Sequence, residues 1–203
     1  MHRLLDVLAS GVHDTKNQLF FAEAQIAAAE REHGLDLSEA RYAIEAAAGR
    51  LARTLAAYRL LRQDSTLAVV PTVVADLCAE IGLDQRKHLA HAGIALDIEC
   101  TVRDEWPLDR DLVADVLNNA IQNAARHARS RIRLSAGNDG DGLCFRVEDD
   151  GDGFADIDPA GHGIGLLVAG HIADLHRRQG RSGRLLLSNG GAFGGAVLEL
   201  FLP

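Results

Sequence analysis

Two narrow apolar seams in the first 63 residues constrain this chain more than any other feature. Leu5, Leu8, Val12, Thr15, Leu19, Ala22, Ile26 and Ala29 recur in alternating steps of three and four, polar only at Thr15. Leu37, Ala40, Ile44, Ala47, Leu51, Thr54, Tyr58 and Leu61 repeat the pattern. Each spacing keeps one side of a helix apolar for about four heptads. No Pro lies between Met1 and Gln63, Gly is sparse, and Ala, Leu, Glu and Arg dominate, all strong helix formers. His33, Gly34, Leu35 and Asp36 read as a stop, a short turn and a new start. Gly34 suits a left-handed C-terminal cap, and Asp36 with Glu39 resembles a capping box. The expectation is an antiparallel helical hairpin over residues 1–63. Alone it would leave its seams wet, whereas two copies in a four-helix bundle bury them. A homodimer through residues 1–63 follows.

Charge and cysteine content narrow the class. The 29 acidic and 21 basic residues give a net charge of -8, which argues against a general nucleic-acid binder. No apolar run approaches the roughly 20 residues that cross a bilayer. Charges interrupt the N-terminal stretch Met1–Asp14 every few residues, so it has no signal-peptide core. Cys78, Cys100 and Cys144 are odd in number and far apart in sequence, against a disulfide framework or a zinc knuckle. A soluble cytoplasmic protein is expected.

Beyond the hairpin the texture becomes α+β. Residues 64–70 read as a linker ending in a short strand, and 71–203 as a second domain. Pro71 suits the first turn of a helix through about Ile81. Ile94–Val102 alternates like a half-buried strand, and Leu108–Ala128 is a long helical stretch. Arg131–Ala136 and Leu143–Glu148 read as strands joined by the turn Gly137–Gly142. A helix over Gly165–His176 and strands at Arg184–Ser188 and Ala196–Leu202 complete the pattern. Such irregular alternation predicts a mixed sheet with helices on one face.

Three segments here carry chemistry. Asn118, Asn119 and Asn123 crowd one helix, with Asn119 and Asn123 four apart and so on one face. Amide oxygens suit a divalent cation that keeps most of its waters. Asp149, Gly151 and Gly153 end a strand, where alternate glycines allow close ligand approach and a carboxylate can accept from a base amino group. Gly161, Gly163 and Gly165 open a helix, whose N-terminal N–H groups and dipole favour phosphate.

In order and spacing these segments resemble the nucleotide-binding domain of histidine protein kinases, in the GHKL ATPase superfamily shared with gyrase B, MutL and heat-shock chaperones. The Asn helix resembles the N box, with Asn123 at the metal-ligand position and Asn119 one turn before it. Asp149-x-Gly151-x-Gly153 resembles the G1 box that reads adenine, and Gly161-x-Gly163-x-Gly165 the G2 box at the phosphates. Trp106–Asp109 resembles the lead-in to the N box, and the tail to Pro203 the closing strand. The resemblance implies an α/β-sandwich ATPase domain that uses ATP and Mg²⁺.

The same resemblance directs attention to His13, in the first helix, where such kinases carry a phospho-accepting histidine. Val12 and Thr15 occupy the seam, so His13 lies beside it. An unprotonated imidazole is a usable nucleophile near neutral pH. Asp14 can hold its other nitrogen, and Asn17 shares its face one turn on. In similar kinases the residue at Asn17 positions water for dephosphorylating a response regulator. The implied protein is a two-component histidine kinase that autophosphorylates on His13. It would pass phosphate to an Asp of a response-regulator receiver domain docking on the lower hairpin, where Phe20 and Phe21 serve either that docking or core packing. The signal would come from an input domain outside this chain or from a separate sensor protein. Only seven residues, Phe154 to Ala160, separate Gly153 from Gly161. Many similar kinases have a longer lid there, which leaves an ATP-independent histidine phosphotransferase of the same architecture as the alternative. His88 with His91, and His171 with His176, lack further ligands at metal-site spacing and are read as structural.

Overall fold

The chain divides into two units, Met1–Ser65 and Thr66–Pro203. The structure, a computed structural model, describes residues 18–19, 21–22, 24–38, 40–41, 43–44, 47–48, 51, 67–155 and 164–203. In the first unit the described residues up to His33 are helical, and helix resumes at Ser38. Gly34 takes the expected left-handed conformation (φ +64°), and its N–H donates to the Glu30 carbonyl at 2.9 Å. The Asp36 carboxylate accepts from the Ser38 N–H at 3.1 Å, capping the new helix, while Glu39 lies outside the described residues. Glu30 ties the turn together, accepting from the Leu37 N–H at 3.0 Å and pairing with Arg41 at 3.4 Å. Leu19, Ala22, Ile26, Ala29, Leu37, Ile44, Ala47 and Leu51 of the seams are half-buried, but Ala40 is exposed.

Elements are numbered within the second unit. Strand β1 (Val69–Val73) leads into α1 (Val74–His91), followed by β2 (Ala95–Cys100), β3 (Glu105–Asp109) and α2 (Arg110–Ala125). The hairpin β4 (Arg131–Asp139) and β5 (Gly142–Asp149) follows, and then α3 (Ile164–Leu175). The short pair β6 (Arg177–Arg178) and β7 (Arg181–Ser182) precedes β8 (Arg184–Asn189) and β9 (Ala196–Leu202). Five strands form one sheet in the order β2-β4-β5-β9-β8, parallel between β2 and β4 and antiparallel elsewhere.

The two faces of the sheet differ in chemistry. Leu143, Phe145 and Val147 of β5 lie opposite Leu202, Leu200 and Leu198 of β9, all buried. Against this apolar face pack α1 over β2, α2 over β4 and β5, and α3 over β8 and β9. The alternate residues carry ion pairs, Arg146 with Glu199 at 3.5 Å and Arg133 with Glu99 at 3.4 Å. The mixed sheet with helices on one face agrees with the sequence pattern.

Several boundaries differ from expectation. Pro71 does not start a helix; it sits within β1, opposite Pro107 of β3, in a separate two-stranded ribbon. Neither Pro has an N–H to donate, so the two are tolerated together where the ladder asks for none. The helix begins at Val74 and extends to His91, well beyond Ile81, because Leu89 is as fully buried as Leu77. Val69 and Val70, placed in the linker, pair with Asp109 and Leu108. Leu108 and Asp109 are strand, and α2 starts only after them, with the Asp109 carboxylate accepting from the Leu112 N–H at 3.2 Å as its N-cap. The other Asp109 oxygen accepts from the Ala68 N–H at 2.8 Å. Strands β4 and β5 extend to a two-residue turn at Gly140 and Asp141, tighter than the turn expected over Gly137–Gly142. Cys78 and Cys100, distant in sequence, are neighbours across α1 and β2; burial, with Cys100 beside it, pushes the Cys78 thiol up to about 12, and all three cysteines are free. Among the described residues no helix is long and apolar enough to cross a membrane.

His176 closes the core behind α2. It is buried, its Nδ1 lies 2.8 Å from the Ile172 carbonyl, and its Nε2 accepts from the Asp109 N–H at 3.0 Å. Only a neutral ring, with the proton on Nδ1, makes both bonds. Burial holds its pKa below the ordinary value, against the opposing pull of the Ile172 carbonyl and the Asp109 carboxylate. The stability such a ring contributes is complete above about pH 6.5 and is lost as pH falls toward the lowered pKa. Urea denaturation is therefore expected to show stability falling between about pH 7 and 5, with a shallower slope in His176→Gln.

Candidate functional site

Asp149 is the last residue of β5 and is buried. Its Oδ1 accepts two backbone N–H groups, from Gly151 at 2.9 Å and from Ala196 at 3.1 Å. Its main-chain carbonyl accepts a third, from Gly195 at 3.1 Å. Oδ2 accepts no hydrogen bond from the described residues, so the carboxylate is fixed by one oxygen and offers the other. Such a group can accept a ligand N–H without reorganising.

The approach of these backbones requires glycine. A Cβ on Gly151 would lie 2.4 Å from the His127 carbonyl oxygen, and one on Gly195 only 2.3 Å from the Asp149 carbonyl oxygen. Gly191, with φ +64°, makes room for the Glu148 carboxylate, which accepts from the Ala192 N–H at 3.0 Å. Gly191 and Gly195 escaped the sequence reading, which took residues 189–195 only as a connection between strands. Their signal was present, because a glycine-rich turn that enters a buried strand implies close packing.

The three asparagines of α2 have separate partners. Asn118 accepts from Gln85 of α1 at 2.8 Å, bridging two helices. Asn119 is buried and lies against Gly165 at the start of α3, where an added Cβ would be 2.7 Å from its Nδ2. Asn123 is half-buried, and its Oδ1 accepts from Arg126 at 3.3 Å, long for such a bond. A cavity of about 450 Å³ opens beside it, lined by Asn123, Arg126, His127, Asp149, Gly153 and Phe154, with an apolar wall that includes Val147, Leu166 and Leu198. Ligand cavities span about 300–1,000 Å³ and combine apolar walls with a few polar groups. Arg126 and His127 end the Asn-rich segment in the sequence but carried no assigned role there.

Asp150, next to Asp149, faces the other way. Its carboxylate accepts the Arg129, Ser130 and Arg131 N–H groups at 2.8 to 3.2 Å and the Ser130 hydroxyl at 2.7 Å. Partial burial alone would raise its pKa, but the Ser130 hydroxyl and these N–H groups prevail and hold it well below the usual carboxylate range. Asp150 thereby fixes the segment between α2 and β4 against the loop that begins at Asp149. Asp152 pairs with Arg129 across the same gap.

The structure thus brings Asn123, Asp149 and Gly153 around one cavity, sets Gly151 at its edge, and places Asn119 and Gly165 against each other beside it. Gly161 and Gly163 lie outside the described residues, as do His13, Asp14 and Asn17. Among the described residues no group of three or more His, Cys, Asp or Glu could hold a metal ion.

Residues 108–203 match the family model described as histidine kinase-, DNA gyrase B-, and HSP90-like ATPase. The second unit carries a GHKL-type ATPase fold. Solved structures agree with this ATPase fold. The histidine kinase AdeS of Acinetobacter baumannii superposes with a TM-score of 0.67 at 16% identity, over 93% of this chain and 95% of that one. The cytoplasmic segment of histidine kinase QseC gives 0.59 at 17% identity, over 76% and 94% of the two chains. Full-length ShkA in complex with AMPPNP gives 0.64 at 18% identity, over 97% of this chain and 44% of that one. At these identities the likeness is one of fold. A sequence comparison with curated proteins finds no match.

Glycine packing in the second unit makes a direct prediction. Gly195→Ala forces backbone apart beside Asp149 and should cost about 1–3 kcal/mol in urea unfolding. Gly170, inside α3 with open space around its Cβ position, provides the contrast. Gly170→Ala is expected to stabilise by about 0.5–1 kcal/mol.

Proposed function

We propose that the chain is an ATP-dependent protein-histidine kinase of a two-component system. The observation that supports this best is the fixed Asp149 carboxylate in an apolar-walled cavity that also holds Asn123 and Arg126. Adenine fits the Asp149 end, where Oδ2 can accept its exocyclic amino group and Val147, Leu166 and Leu198 supply apolar contact. The phosphates fit the end with Arg126, which makes no ion pair with the described residues, and the sequence resemblance assigns Gly161, Gly163 and Gly165 to them as well. Gly165, pressed against Asn119, stands at the N-terminal end of α3, where free N–H groups and the helix dipole favour anions. Gly151 lets the Asp149 loop approach His127, while Asn119 seats the start of α3.

Mg²⁺ fits this donor set. A single amide ligand at Asn123 suits an ion that keeps several waters and takes its other ligands from phosphate oxygens. When bound, it neutralises charge on the transferring phosphoryl group. The chain's own residues hold and orient the nucleotide and present the acceptor. We assign that acceptor as His13, with Asp14 holding the ring's second nitrogen and Asn17 on the same face for a regulator-directed phosphatase activity. The hairpin of residues 1–63 is proposed to dimerise as a four-helix bundle, bringing nucleophile and ATPase domain into one assembly in the cytoplasm. Phosphate then passes to the receiver domain of a response regulator. Phe21, 67% exposed, is available to that partner.

Incubation with Mg²⁺ and γ-labelled ATP should give acid-labile, base-stable label on the wild type. His13→Ala should retain nucleotide binding and lose the label. Asn123→Ala and Asp149→Asn should each lower labelling at least about a hundredfold while leaving the oligomeric state unchanged. Nucleotide binding without labelling would instead reject kinase activity, and no nucleotide binding at all would favour phosphate relay without ATP.

A further inference from the structure

Asn189, at the end of β8, reaches across to the loop leaving the Asp149 site and binds both backbone polar groups of a single residue there. Its Oδ1 accepts from the Phe154 N–H at 2.7 Å, and its Nδ2 donates to the Phe154 carbonyl at 2.9 Å. A carboxamide carries a donor and an acceptor in one plane, so it pairs with a peptide much as a neighbouring strand does. Gly153 is shaped to this contact. It has φ +82°, and a Cβ there would sit 2.7 Å from Asn189 Oδ1 and 2.9 Å from its Cγ.

Asn189 is itself anchored. It pairs with Ala196 at the end of the β8–β9 ladder, and the next residue, Gly190, donates its N–H to the Gly195 carbonyl at 2.8 Å. Gly195 in turn donates to the Asp149 carbonyl. One connected set of hydrogen bonds therefore holds both Asp149 and Phe154, which lie on the same cavity.

We propose that Asn189 is a positioning residue for the nucleotide, clamping the Phe154 backbone so that this wall of the cavity is set before ligand arrives. This rests on the nucleotide-binding reading above. The contact also assigns Gly153 a role in admitting Asn189. An unclamped wall would have to be ordered at binding, and affinity would fall by that cost. Asn189 is exposed, so its replacement leaves the core intact.

The test compares wild type, Asn189→Ala and Asn189→Asp. Amide hydrogen exchange at residues 153–155 without nucleotide reads the clamp, and calorimetric titration with Mg-ATP reads its consequence. In Asn189→Ala both the exchange rate and the Kd should rise about tenfold, with Tm unchanged. In labelling assays KM for ATP should rise with kcat unchanged. Asn189→Asp keeps the acceptor for the Phe154 N–H and loses the donor to its carbonyl, so it should fall between the two. Unchanged exchange would overturn the clamp. Faster exchange with an unchanged Kd would overturn positioning, and a Kd that rises only together with a falling Tm would reduce Asn189 to general stability. Failure of the wild type to bind Mg-ATP would instead overturn the nucleotide reading, leaving exchange alone to decide whether the clamp exists.

Discussion

The geometry of the candidate site depends on one buried carboxylate held by main-chain N–H groups. A polar side chain at 3% exposure needs hydrogen-bond partners, and Gly151 and Ala196 supply them to Asp149 through a single oxygen. Those two donors belong to different segments, the loop after β5 and the first residue of β9. The carboxylate therefore sets the relative position of two loops as well as its own orientation. Both loops share one anchor, the Asp149 Oδ1.

Around this carboxylate the acidic residues divide their work by strand parity. Glu148, Asp149 and Asp150 follow one another, yet each points to a different set of donors. Glu148 lies on the charged face of the sheet and accepts from Ala192; Asp149 faces the cavity; Asp150, beyond the strand end, collects the N–H groups of residues 129–131. Three consecutive carboxylates would repel one another as a surface cluster. Distributed onto separate backbone donors, they lock the β8–β9 connection, the cavity edge and the α2–β4 connection in turn.

The sequence carried the strands, the helix faces and the cavity-bearing motif because each has a local cause. The alternation of Leu143, Phe145 and Val147 needs only a sheet with one buried face. Asp149 and its alternate glycines were legible because close approach admits few residue types. The failures are equally physical. Pro71 fits a first helical turn as well as an edge strand, and only the partner at Pro107 decides between them. Asn119 and Asn123 look equivalent by helical spacing, but α3 packs on one turn of α2 and leaves the other open to the cavity. Asn189 carried no local signal, since its partner, Phe154, lies 35 residues earlier in the chain.

The spacing of the glycine segments gives these preset contacts added weight. On the proposed nucleotide-binding reading, only seven residues separate the two glycine segments, Gly153 and Gly161. On that reading, groups already in place contribute to affinity. Asp149 is fixed by three backbone bonds to its carboxylate and carbonyl, and Phe154 by two bonds to Asn189. Each removes an ordering cost that a mobile wall would incur on binding. The β8–β9 corner thus sets two parts of the cavity lining at once, through Gly195 and Ala196 at Asp149 and through Asn189 at Phe154.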